Sequence, residues 1–196
     1  LSQLDMVAAK YFLPGEVAGY YAAASNLVRA PFLMVAGGFA SAMFPSVVRA
    51  GARSRHGIRL FYITVAAVLA SVLLVTIACY LMPEMIVGLL LGDDFLPLAR
   101  WLGIFAAASS LPALLTVVTR FHMAEHSPLL IWSLAAGCAL SVISLIVLHG
   151  SPLHMILASA LGSMIPLIPL SLSVLHGLRS PKPVAGEPAE PDKAQK

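Results

Sequence analysis

Charge is scarce in this sequence. Only 11% of its 196 residues are Asp, Glu, Lys or Arg, against about a quarter in ordinary soluble domains. That shortage excludes a solvated surface over most of the chain. Cysteine is scarcer: Cys79 and Cys138 each stand alone in an apolar stretch, which excludes a disulfide framework or a thiolate metal cage and leaves packing. Clustered basic residues are missing too. Outside the last residues the one basic run is RAGARSRHGIR, so no nucleic-acid partner is expected. Acidic pairs reduce to GDDF, and adjacent carboxylates at a helix start read as a cap before they read as a catalytic dyad. With outer loops this short, a membrane-embedded glycan polymerase or ligase is disfavoured, because such chemistry needs positioned acid, base or cationic groups. His149 and His154 across a five-residue step make a poor metal site. No metal or cofactor is expected, and the chain is read as a non-enzyme.

What remains is oil. Hydrophobic residues make up 59% of the chain and the mean hydropathy is +0.90. A membrane span needs about 20 mostly apolar residues at 1.5 Å each. Five segments qualify: about Val17–Val47, Leu60–Met82, Leu96–Phe121, Leu129–His149 and Leu153–Leu178. The opening Leu1–Leu13 is too short to span and does not have the pattern expected of a signal peptide, so it reads as a cut helix of a longer protein. The fold class is therefore an all-α integral membrane protein of about six transmembrane helices, the first truncated.

Local punctuation fits that division. LPGE is a turn between the first two helices. Asp93 or Asp94 can cap the helix that follows, with Pro97 in its first turn, and Ser127-Pro128 and Ser151-Pro152 open the last two helices alike. Met82–Gly92, MPEMIVGLLLG, is too short to cross and reads as a helix lying on the membrane surface or the bundle. Pro31, Pro112, Pro166 and Pro169 interrupt spans, and Gly37, Gly38, Gly137, Gly162 and Ser163 invite close helix approach.

Orientation follows from the loops. Arg49, Arg53, Arg55, Arg59, Arg120, Arg179 and Lys182 fall at one end, the basic end; Lys10, Arg100, Glu16, Glu84, Asp93 and Asp94 fall at the other, the acidic end. The basic end, with the C-terminus, is expected in the cytoplasm. Residues 179–196, rich in proline and mixed charge, are expected to be a disordered cytoplasmic tail. The group Arg120, His122, Glu125 and His126 reads as a solvated loop after the fourth helix, ahead of a gate on the cytoplasmic side.

Three ionisable residues sit where they are costly. A charge at mid-membrane costs about 2.5–3.5 kcal/mol, which cancels six or more aliphatic side chains at about 0.3–0.6 each. Lys10 is near the acidic end and can snorkel. Asp5 and Arg29 are placed by an antiparallel hairpin at depths that differ by roughly 6 Å. A pair between the two helices and a role in transport both stay open. Arg29 also follows Ser25 and Asn26 at i−4 and i−3, a polar stripe ahead of Pro31, which frees the carbonyl of Leu27.

The run LDMVAAKYFLPGEVAGYYAAASNLVR, with FPSVVRA and PEMIVGLLLGDDF downstream, resembles the second half of the polysaccharide-transporter proteins. These are the O-antigen and lipid-linked oligosaccharide flippases of the multidrug/oligosaccharidyl-lipid/polysaccharide exporter superfamily. The resemblance covers about residues 1–178. It implies one lobe of a two-lobed transporter in a bacterial inner membrane, completed by a missing N-terminal lobe or a second copy. It further implies alternating-access translocation of a polyprenyl-diphosphate-linked saccharide for cell-surface polysaccharide. Carried over, Arg29 is the cavity cation for the lipid diphosphate or an acidic sugar, Asp5 its partner or a coupling site, and Asn26, Tyr20 and Tyr21 saccharide contacts, with Lys10 near the exit. Membrane lipids are the other partners. A cation-coupled drug or metabolite antiporter of the same superfamily is the alternative.

Overall fold

The computed structural model describes residues 4–52, 54–125, 127–148 and 151–177. His149, the tail and the charges Arg53, His126, Arg179 and Lys182 lie outside them. Among the described residues every regular element is helical. The elements are α1 (Leu4–Phe12), α2 (Gly15–Ala50), α3 (Arg55–Leu81), α4 (Pro83–Leu90), a short 3-10 helix (Asp93–Leu98), α5 (Ala99–Glu125), α6 (Leu129–Val147) and α7 (Pro152–Gly177). Five helices among the described residues are long and apolar enough to cross a membrane. α5 is the central post. It packs against α2, α3 and α7, and 50% of its spanning window is buried against 22% for α3 and for α6.

The faces left open by packing are what a bilayer would wet. Leu69, Leu73, Leu74 and Ile77 on α3 and Ile131, Ile143, Ile146 and Val147 on α6 are exposed. Tyr62 and Tyr80 stand exposed near the two ends of α3, 18 residues and so roughly 27 Å apart. That spacing sets two amphipathic rings at the two hydrocarbon borders. The outward face of α2 differs. Asn26, Ala30, Gly38, Ser41, Ala42 and Pro45 are exposed there, with Met34 and Phe39 its larger apolar members. A surface of small and polar groups suits a helix or a wet cavity better than acyl chains.

Helix ends depart from the sequence expectation in informative ways. α3 starts five residues earlier than Leu60 because the Ser54 hydroxyl accepts from the Gly57 N–H at 3.0 Å; Arg55 and Arg59 are thereby helical. α5 starts later and runs on to Glu125. Asp93 and Asp94 fall in the first turn of the 3-10 helix, which itself precedes α5, so neither sits at the cap of that span. Ser151 behaves as expected, its Oγ accepting from the His154 N–H at 3.3 Å, whereas α6 opens at Pro128 without a side-chain cap. Pro31 and Pro45 lie within a continuous α2.

The solvated loop expected after Phe121 is replaced by helix as far as Glu125. His122 is fully buried. Its Nδ1 lies 3.0 Å from the Val118 carbonyl, which can only accept, and its Nε2 lies 2.6 Å from Ser173 Oγ on α7. A residue read as part of a gate or loop is thus a polar tie between two packed helices. Close approach is also narrower than the glycine pattern suggests. A β-carbon on Gly137 would fall 2.7 Å from the Pro166 ring and one on Gly162 would fall 1.7 Å from Ser141 Oγ, while Gly37 and Gly38 face open space.

Candidate functional site

The hairpin of α1 and α2 carries the costly charges inward. Asp5 is 1% exposed and Arg29 5%, which is deep enough that neither could be carried without the other. The guanidinium grips the carboxylate with two parallel bonds, Nη1 to Oδ1 at 2.9 Å and Nη2 to Oδ2 at 2.5 Å. Tyr21 donates its hydroxyl to Oδ2 at 3.0 Å. The fork geometry is the strong form of the arginine–carboxylate bond. The tyrosine ring lies edge-on to Phe105 of α5, centroids 5.0 Å apart. Two turns of α2 (Tyr21 and Arg29 are eight residues apart) therefore hold one carboxylate from α1 against the central post. Ser25 is buried beside them, its Oγ without a hydrogen-bond partner.

Two clefts flank this knot along α2. The outer one, of about 380 Å³, opens at the acidic end between α2, α5 and the start of α7; Tyr20, Tyr21, Arg100, Trp101, Phe105 and Pro152 line it. The guanidinium of Arg100 stands 5.2 Å from the Trp101 ring centre, within cation–π range. Tyr20 lies edge-on to Phe95 at 5.7 Å and points its hydroxyl at the Asp94 carbonyl 3.5 Å away. The inner cleft, of about 230 Å³, lies between α2, α5 and α7 and includes Leu33, one helical turn after Arg29. Tyr21 touches both the outer cleft and Asp5, so the ion pair lies between the two clefts in the order of α2.

Of the residues singled out from sequence, Asp5, Arg29 and Tyr21 come together and Tyr20 lines the outer cleft. Asn26 and Lys10 join neither group; both are exposed. The stripe drawn through Ser25 and Asn26 splits, because neighbouring residues differ by about 100° around the helix axis: Ser25 turns in and Asn26 out. Arg100 and Trp101 were not singled out, apart from the arginine's place in the loop charge count. An Arg-Trp step at the acidic start of a span was the available signal, since aromatic and cationic side chains gather at membrane borders.

Tyr21→Phe should leave the pair intact and remove a bond to a charged acceptor, costing about 1.5–3 kcal/mol in an unfolding titration of the detergent-purified protein. An unchanged midpoint would show that water or another group replaces the phenol.

Comparison of the chain with protein-family models, curated proteins and solved structures finds no match.

Proposed function

We propose that the chain is one lobe of a bacterial inner-membrane transporter that moves a polyprenyl-diphosphate-linked oligosaccharide between leaflets by alternating access, for cell-surface polysaccharide synthesis. The observation that carries this reading is the buried Asp5–Arg29–Tyr21 knot between an outer and an inner cleft. A purely structural bundle has little use for a desolvated ion pair, since apolar side chains of similar volume hold helices together as well or better. Placed between two clefts in the order of α2, such a pair can hold the lobe closed and exchange one partner for an anionic guest. The aromatic walls of the outer cleft suit the apolar faces of sugar rings, and Arg100 suits an acidic or phosphorylated group. The small and polar outward face of α2 supports a second lobe, or another copy of this chain, across a wet cavity. In this reading the basic end and the C-terminus are cytoplasmic, and residues 179–196 are a cytoplasmic tail.

Cells lacking the protein that carries this chain are expected to accumulate the lipid-linked saccharide in the cytoplasmic leaflet and to lose the surface glycan, both reversed when the gene is restored. Normal surface glycan with altered drug tolerance would overturn the reading in favour of the antiporter.

A further inference from the structure

The inner cleft has a composition of its own. Its floor is apolar, from Leu33, Pro112 and Leu115, and Thr116, Thr119, Arg120 and Ser163 complete the lining, the Ser163 hydroxyl donating to the Ser159 carbonyl at 3.2 Å. From Pro112 to Arg120 is eight residues, roughly 12 Å along α5, so the cleft is a slot with a greasy end and a cationic end. Among the described residues no carboxylate lines it. Arg120 is exposed, and its side chain is not used to hold the fold in the way that Arg29 is. The Thr116 hydroxyl spends its proton on the Pro112 carbonyl at 2.9 Å, so the donors left along the cleft are the Thr119 hydroxyl and the Arg120 guanidinium fork. Donors arranged around one cation recognise a tetrahedral oxyanion, and the apolar floor beyond them recognises hydrocarbon.

We infer that this slot binds the phosphate-ester headgroup of a lipid in the leaflet at the basic end, with the first part of the lipid's chain laid along Leu33, Pro112 and Leu115. The site requires only that the chain lies in a bilayer. It stands whether or not the protein transports saccharides, and its ligand is an amphiphile with a terminal phosphate rather than a particular glycan.

The test uses the purified protein in neutral detergent, with native mass spectrometry and thermal shift as two readouts. The probes are dodecyl phosphate, dodecanol and inorganic phosphate. Dodecyl phosphate is expected to bind at least about tenfold more tightly than either other probe, since each supplies only half of the recognition. Arg120→Gln should remove most of that preference without lowering the melting temperature, because the side chain is outside the core. Leu33→Trp, which fills the slot and keeps the cation, should weaken dodecyl phosphate and leave inorganic phosphate unchanged. Equal binding by wild type and Arg120→Gln overturns the site. Equal affinity for inorganic phosphate and dodecyl phosphate overturns the lipid assignment.

Discussion

Asp5→Asn is expected to destabilise the folded protein by about 3–5 kcal/mol, because it leaves the Arg29 guanidinium buried without its counter-charge. The neutral amide keeps the shape and part of the hydrogen bonding but cannot repay the desolvation of a cation that is 5% exposed. Arg29→Met should cost a similar amount by stranding the carboxylate. The paired variant Asp5→Leu with Arg29→Met removes both charges and should recover most of the stability, short of the Tyr21 bond to Asp5, so the coupling energy in the cycle closed by Asp5→Leu alone and Arg29→Met alone is large and opposite in sign to the single losses. Unfolding titrations in mixed detergent micelles read the wild type and all four variants. A mild Asp5→Asn would mean that water or another polar group already shares the cation.

The same set separates holding from transporting. If the knot only ties α1 to α2, the paired variant should export surface glycan normally once its stability returns. On the transport reading it folds and inserts but loses most of its export, since the guest has no guanidinium to meet. Exchanging the charges, Asp5→Arg with Arg29→Asp, keeps an ion pair but moves the cation to α1, and it should recover stability without full export.

The spans were legible because hydrocarbon thickness fixes length and composition together: every segment read as a crossing contains a long helix. The ion pair was half legible. Hairpin depth brought Asp5 and Arg29 within an arginine's reach, yet their joining depends on rotation about α1 and α2, which no count of residues supplies. Asn26 shows the cost of that gap, since one residue step turned it from the buried side to the open face. The helix ends at Ser54 and Glu125 were hidden for a different reason. Arginine and histidine look like loop residues in an oily sequence, and only packing against α7 revealed that His122 is interior. The outer cleft was illegible because α2, the start of α5 and Pro152 on α7 meet there from distant parts of the chain.

Gly162→Ala should cost stability although it adds a single methyl where α7 meets α6. In lipid there is little hydrophobic drive to bring two helices together, so their contact depends on how closely the backbones approach. Its new β-carbon would lie 1.7 Å from Ser141 Oγ, 2.8 Å from Ser141 Cβ and 3.2 Å from Ser141 Cα. A hydroxyl can rotate away, but the last two atoms cannot, so α6 must shift bodily. Overpacking of this kind costs about 1–3 kcal/mol. Gly137→Ala meets the Pro166 ring at 2.7 Å and the Gly162 carbonyl at 2.9 Å, and should cost a comparable amount because a proline ring on a helix cannot swing clear. Adding Ser141→Gly to Gly162→Ala removes the two nearest atoms and should restore most of the loss, whereas Ser141→Ala should restore little. Gly38→Ala is the control: it faces open space on α2 and should be neutral or stabilise by up to about 1 kcal/mol through helix propensity. Equal tolerance of alanine at positions 38, 137 and 162 would mean that α6 and α7 do not touch along this seam.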